Sequence, residues 1–229
     1  KGLAIYSALA ETEWAKVRAL GPGAEDSEEH GKRFEITKIM ETLARLTGDV
    51  EAVVAVKKRD LSSQYAYLQI AETYKNAGKH ALAIEWAEKG MKAFREDIDS
   101  RLRVFLAVEY HGVKRHEEAM ALIWDNFTDG PCLDRYKLLK GSAGQSNQWA
   151  LWREKALAFL RERTAKANER AEKGNNYYIR IFGGNSVLVE IFLWEKDVIS
   201  ALRQAKEGGC SNQLWLVLAQ KLENDNPED

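Results

Sequence analysis

Polar and apolar positions follow the same order in two neighbouring stretches set 36 residues apart. One is YLQIAETYKNAGKHALAIEWAEKGM, from Tyr67 to Met91; the other is RVFLAVEYHGVKRHEEAMALIWDNF, from Arg103 to Phe127. Ala71 answers to Ala107, Tyr74 to Tyr110, His80 to His116, Ala83 to Ala119 and Met91 to Phe127. A self-similar period of this size predicts stacked supersecondary units, none of which buries its apolar face alone. Each stretch reads as helix, tight turn, helix. Asn76-Ala77-Gly78-Lys79 predicts a helix stop and restart, because glycine accepts the left-handed conformation that ends a helix. The second stretch has Gly112 two places early in this register and Lys114 where the first has Gly78, so its turn is expected to differ in detail.

Small residues stand where paired helices must approach closely: Ala71 and Ala77 on the first helix of one unit, Ala83 and Ala87 on the second. Tyr74 and Trp86 supply the large side chains between them. The arrangement resembles the tetratricopeptide repeat, whose usual length is about 34 residues. The longer spacing here places two more residues in the loop between units.

Looser copies flank the pair. Upstream, a helix is predicted over Phe34–Thr47 and a shorter one over Asp49–Lys58, broken at Gly48. Downstream, the run from Leu133 to Arg163 predicts a helix pair meeting near Gly144–Asn147. Ser186–Gly209 predicts two short helices joined at Glu195–Asp197. Ser211–Glu223 predicts a last helix with Ser211 as N-cap. It is expected to bury Leu214, Trp215 and Leu218 and to leave an outer face without a partner. At the other end Leu3, Tyr6, Leu9, Ala10, Trp14 and Val17 recur at helical spacing, and Gly21-Pro22-Gly23 stops that segment. Acidic Glu25, Asp26, Glu28 and Glu29 follow as a solvated loop. Tyr177–Phe182 is a strand-like run between glycine-rich flanks and reads as an extended connector. The organisation expected is therefore an N-terminal helix and acidic loop over 1–32, tetratricopeptide-like repeats over 33–170, and a connector with C-terminal helices over 171–229. The fold class is all-α, a right-handed solenoid of tetratricopeptide-like helix pairs.

Composition narrows the chemistry. The formal net charge is −1, with 34 Lys and Arg against 35 Asp and Glu, which lacks the electrostatic footprint of a nucleic-acid binder. Arg153–Lys173 is basic, but Glu154, Glu162, Glu169 and Glu172 are interleaved, as in a wet face laced by ion pairs. Cys132 and Cys210 are too few and too far apart for a disulfide framework and are expected to be reduced, in the cytoplasm. The chain shows no signal peptide and no apolar run long enough to span a bilayer.

No constellation of acid, base and nucleophile is visible, so an enzyme is not expected. Among the 4 histidines, His111 and His116 with Cys132 come nearest to a zinc site. His111 ends one helix and His116 begins the next, so their side chains need not converge. No metal or other cofactor is expected. Phe182-Gly183-Gly184-Asn185-Ser186 opens a helix but lacks the lysine and spacing of a nucleotide loop. Asn126-Phe127-Thr128 matches a glycosylation acceptor inside a helical repeat, where chance explains it best. Of the 7 tryptophans, those within helices read as core packing by default, and an exposed one in the groove would be a binding anchor.

Three stretches carry a further resemblance: GDVEAVVAVKKRDLSSQYAYLQIAETY from Gly48, AIEWAEKGMKAF from Ala83, and RLRVFLAVEYHGVKRHEEAMALIW from Arg101. They are similar to the helical region downstream of the zinc finger in bacterial SWIM zinc-finger proteins. The similarity runs from about Gly48 to Leu160 and resumes at LVEIFLWEKDVISALRQAKEGGC, Leu188 to Cys210. The family's zinc-binding motif is absent from this chain, so no metal ligand carries over. The resemblance implies a bacterial cytoplasmic protein whose finger, with its DNA or protein contacts, lies outside this chain.

The function read from these patterns is a scaffold that binds a peptide or partner domain in a helical groove. The groove positions follow helical spacing along each first helix: Tyr65, Leu68, Glu72 and Lys75, then Arg101, Val104, Val108 and His111. Packing on neighbouring helices is the competing reading of the same residues. Leu68 and Glu72 stand where a carboxylate-clamping groove needs Lys and Asn, so no such clamp is expected. The alternative function is an accessory module of a zinc-finger protein that contacts nucleic acid outside this chain. No membrane contact is expected, and the last helix is a candidate contact with a second copy.

Overall fold

The computed structural model describes residues 2–25, 30–174 and 184–225. The strand-like run at Tyr177–Phe182 and the acidic residues Asp26 to Glu29 lie outside them. The described residues form α1 (Gly2–Ala15), α2 (His30–Leu46), α3 (Val50–Lys57), α4 (Gln64–Asn76), α5 (His80–Ala93) and α6 (Ser100–Gly112). These are followed by α7 (His116–Asp129), α8 (Leu133–Gly144), α9 (Trp149–Gly174), α10 (Ser186–Trp194), α11 (Val198–Gly208) and α12 (Asn212–Asp225). They fall into two compact units, Lys1–Leu122 and Ile123–Asp229. The fold is all-α, of tetratricopeptide-like helix pairs.

Each pair turns on a residue in the left-handed region: Gly48, Gly78, Lys114, Asn147 and Lys196, with φ of 71°, 73°, 67°, 55° and 65°. The turn after α4 closes through Lys79 N–H donating to the Tyr74 carbonyl at 2.9 Å. Arg115 donates to Tyr110 at 2.9 Å, Gln148 to Ala143 at 3.0 Å and Asp197 to Phe192 at 2.9 Å in the same way. This six-to-one bond satisfies carbonyls that the helix end leaves open. The second turn therefore repeats the first, against expectation: the closing bond is made by backbone, and Lys114 adopts the conformation that Gly78 adopts at no steric cost.

Counted from these turn residues, one core pattern runs through four pairs. Ile70, Leu106, Leu139 and Leu188 stand eight residues before the turn residue, and all are buried. Ala83, Ala119 and Ala201 stand five after it, and Ala87, Ala156 and Ala205 nine after it, all buried. Alanine there lets the second helix lie close on the first. Ala77 does not share this role; it caps α4 and is exposed.

Neighbouring pairs of the first unit are joined by a buried tyrosine. The Tyr74 hydroxyl donates to Glu51 at 2.8 Å, and Lys79 reaches the same carboxylate at 3.0 Å. Tyr110 donates to Glu88 at 2.6 Å, with Arg115 at 3.2 Å. Burial, and then the carboxylate, push the Tyr74 hydroxyl up to about 12 and Tyr110 upward as well. Within the second unit, Glu195 accepts from Tyr136 at 2.8 Å and from Arg153 at 2.6 Å. Arg153 thus reaches α10 besides Glu154 on its own helix, while Lys166 and Glu162 do form the expected intrahelical pair at 2.6 Å.

The chain ends depart from expectation. Leu3, Tyr6 and Leu9 are exposed, and Ala10 is the buried residue of α1. A short strap holds this end instead. Leu20 N–H donates to the Arg59 carbonyl and Leu61 N–H to the Leu20 carbonyl, both at 2.9 Å, while Arg59 stacks over Trp14. In α12 Leu218 is buried and Leu214 half-buried, but Trp215 and Leu216 are 37% and 66% exposed. The α12 helix packs on α10 and α11, and the side that carries Trp215 and Leu216 is exposed. Ser211 sits at the N-cap position, its carbonyl accepting from Leu214 and Trp215.

Candidate functional site

The predicted groove residues lie on α4 and α6, which pack side by side. Tyr65 and Val108 are 47% and 52% exposed, Glu72 and Arg101 are exposed, and Val104 is half-buried. The Arg101 guanidinium lies over the Tyr65 ring, 5.1 Å from its centroid, and pairs with Asp99 at 2.6 Å. Asp99, which also caps α6 by accepting from Arg101 N–H, holds the guanidinium above its ordinary value. This face presents an aromatic and an aliphatic side chain with one charge of each sign.

Three predicted residues do not belong to it. Leu68 is 5% exposed and packs in the core, because α4 is covered by α3, α5 and α6 on the sector it occupies. Lys75 is turned to α6, 2.8 Å from Glu109 and 5.2 Å from the centre of the Phe105 ring. His111 meets α7 instead.

Glu109 is a buried carboxylate between two turns. Lys75 and His80 Nδ1 each approach it at 2.8 Å. Burial opposes its charge, yet these partners keep its carboxyl below the ordinary range. At the next turn His111 stands where Lys75 stands, and His116 where His80 stands. There the two imidazoles converge, with Nδ1 atoms 2.8 Å apart and ring centroids at 5.1 Å. Sequence position did not require this convergence; the turn closed by Arg115 N–H on the Tyr110 carbonyl brings the end of α6 and the start of α7 together. Burial, then the charge of His116, lowers the His111 pKa. Among the described residues no group of three or more His, Cys, Asp or Glu side chains is placed to cage a metal.

A cleft of about 370 Å³ opens beside α4, lined among others by Arg45, Asp49, Lys57, Gln69 and Glu72. Lys57 is buried and bonds Glu41 at 2.9 Å. Sequence reasoning missed this cleft. Its one signal is a lysine nine residues after Gly48, where three other pairs carry alanine and one carries Ile123, and that register is visible only once the turns are known.

The remaining candidates resolve into packing. Asn185 opens α10 and is buried, its backbone N–H donating to Gly209 at 2.8 Å and its side chain to Gln204 at 3.0 Å. A plain helix entry is what the described part of that loop shows. Asn126 is buried within α7, its amide without a hydrogen-bond partner among the described residues. Trp124 packs against Phe127, Trp152 and Phe159, with Lys155 over both indoles. Trp194 is partly exposed and stacks edge-on to Tyr136. Cys132 is exposed and Cys210 buried, both as free thiols. No described helix is long and apolar enough to cross a membrane.

No family model matches the chain, and no curated protein matches it. Several solved chains are similar, two of them as follows. One is the MamA RS-1 ArsTM double mutant, 12% identical, covering 87% of this chain and 99% of that one at a TM-score of 0.41. The other is Pseudomonas aeruginosa PilF, 16% identical, covering 86% and 95% at a TM-score of 0.40. At these scores neither carries an inference about function.

Proposed function

We propose that this chain is a protein-interaction scaffold that holds an extended or helical peptide across the exposed faces of α4 and α6. The supporting observation is the exposure of Tyr65, Glu72, Arg101 and Val108 on two helices that pack side by side, with the Arg101 guanidinium over the Tyr65 ring. Exposed aromatic and aliphatic side chains beside a fixed guanidinium suit an apolar anchor rimmed by polar contacts. A phosphate backbone would call for several Lys and Arg in register, which this face lacks. Leu68→Asp would unfold the core, so the informative variant is Tyr65→Ala with Val108→Asp. Partners recovered by pull-down with the wild-type chain should be lost by this double variant while its circular dichroism spectrum is unchanged. Full binding by the folded double variant would remove the surface from consideration.

A second reading, an accessory module beside a zinc finger outside this chain, rests on the resemblance of Gly48–Leu160 and Leu188–Cys210 alone. Contact with a second copy through Trp215 and Leu216 is the reading favoured for α12. Sedimentation of Leu216→Glu against wild type tests it: equal masses at all concentrations would exclude it.

A further inference from the structure

We propose that the cleft beside α4 is the polar subsite of the peptide surface, taking one acidic side chain of the bound peptide with a basic residue next to it, and that Lys57 receives the carboxylate. The inference rests on the peptide reading of the α4–α6 face and names what that face selects.

The cleft, of about 370 Å³, belongs to the first unit. One wall comes from the end of α2 and from α3 with its cap, through Arg45, Asp49 and Lys57; the other is α4, through Gln69, Glu72 and Asn76. Tyr65, Gln69, Glu72 and Asn76 recur at helical spacing, so the cleft and the exposed Tyr65 share one face of α4.

Lys57 is the buried cation of this cleft. Its side chain is 6% exposed, and among the described residues Glu41, at 2.9 Å, is the one hydrogen-bond partner of its ammonium. An ammonium has three donors, so two are left for a ligand. Arg45 also draws on Glu41, at 3.5 Å, so two cations share one carboxylate. Three other helix pairs carry a buried alanine at this register, so packing does not call for a lysine here. A carboxylate entering the cleft answers both the excess positive charge and the open donors.

The mouth has the opposite sign. Asp49 and Glu72 are exposed there, against Arg45 alone, which is 65% exposed. One Asp49 oxygen accepts from Glu51 N–H at 2.9 Å as the cap of α3, and its charge remains. A single acidic side chain therefore fits with a basic neighbour left at the mouth, whereas a run of acidic residues meets like charge.

The test is selection of a random peptide library on the immobilised chain. The selected peptides are then titrated in acetylated and amidated form, so that side chains hold their only carboxylates. They should share an Asp or Glu beside a Lys or Arg, in addition to apolar residues. Replacing that acidic residue by Asn or Gln should weaken binding about tenfold or more, the scale of a charge-assisted hydrogen bond. Lys57→Met should bind both forms equally, because the partner of the carboxylate is gone. Glu72→Lys should shift the selected neighbour from basic to neutral or acidic. Circular dichroism checks folding, and if Lys57→Met unfolds, Glu72→Lys at its exposed position carries the comparison. Selection of apolar residues without an acidic one would overturn this inference and leave the peptide reading standing; no selection at all would overturn both. An equal loss on Asn or Gln replacement in wild type and Lys57→Met would place the carboxylate elsewhere and leave Lys57 as a tie between α2 and α3.

Discussion

Adding a single methyl group at Gly90 separates two opposing terms whose balance the packing decides. Gly90 is buried in α5, and a Cβ there would lie 2.7 Å from Tyr67 Cβ, 3.0 Å from Leu102 Cδ2 and 3.1 Å from Tyr67 Cγ. Carbon atoms rest at about 3.5–4.0 Å, so the nearest contact overlaps by about 0.8 Å or more. Leu102 can shift a terminal methyl, but Tyr67 Cβ moves only with the α4 backbone. Overpacking costs typically about 1–3 kcal/mol, and a rigid contact belongs in the upper half of that range. Replacing a helical glycine by alanine returns about 1 kcal/mol. The net expectation for Gly90→Ala is a loss of about 1–2 kcal/mol. Gly112, at the end of α6 in the same unit, has nothing within 4 Å of its would-be Cβ. Gly112→Ala should therefore be neutral or stabilising by up to about 1 kcal/mol. Urea unfolding followed by circular dichroism compares the two variants with wild type. A midpoint for Gly90→Ala at or above the wild-type value would show that α4 and α5 do not approach as closely as described.

Four further outcomes follow from the same packing. Ala83→Trp and Ala119→Trp should each lower stability by about 1–3 kcal/mol or more, because both alanines are fully buried; an unchanged melting temperature in both would show the repeat phase to be wrong. Lys114→Gly should raise the urea midpoint, since relief of a left-handed lysine, about 1–2 kcal/mol, exceeds the entropic cost of glycine, about 0.5–1 kcal/mol. Glu195→Ala should cost about 3 kcal/mol by calorimetry, as it strands the Tyr136 hydroxyl and Arg153 together. The depressed carboxyl of Glu109 makes the unfolded chain bind a proton first on acidification; its contribution is present above the ordinary carboxylate range and lost as pH falls through the folded-state value. Glu109→Gln should flatten that part of the stability profile, and an unchanged profile would place the acid sensitivity elsewhere.

Much of the architecture was legible in order and spacing. The period of 36, the alanines at 83, 87 and 119 and the breaks at Gly48 and Gly78 place the helices of the first unit, because local periodicity and helix termination are properties of short segments. The later pairs were harder to phase. Their turn residues follow at intervals of 33 and 49, and they are Asn147 and Lys196, so neither a constant period nor a glycine marks them. The surface was legible only in part. Helical spacing put Tyr65, Glu72, Arg101 and Val108 on exposed faces, but Leu68 has the same spacing and is buried. Which sector of a helix stays open depends on how many neighbours cover it, and those neighbours come from elsewhere in the chain. For the same reason tertiary structure alone decided that His111 turns to His116 and Lys75 to Glu109. A side chain's partner is set by turn geometry and by what the adjacent helix presents, neither of which its own sequence position encodes.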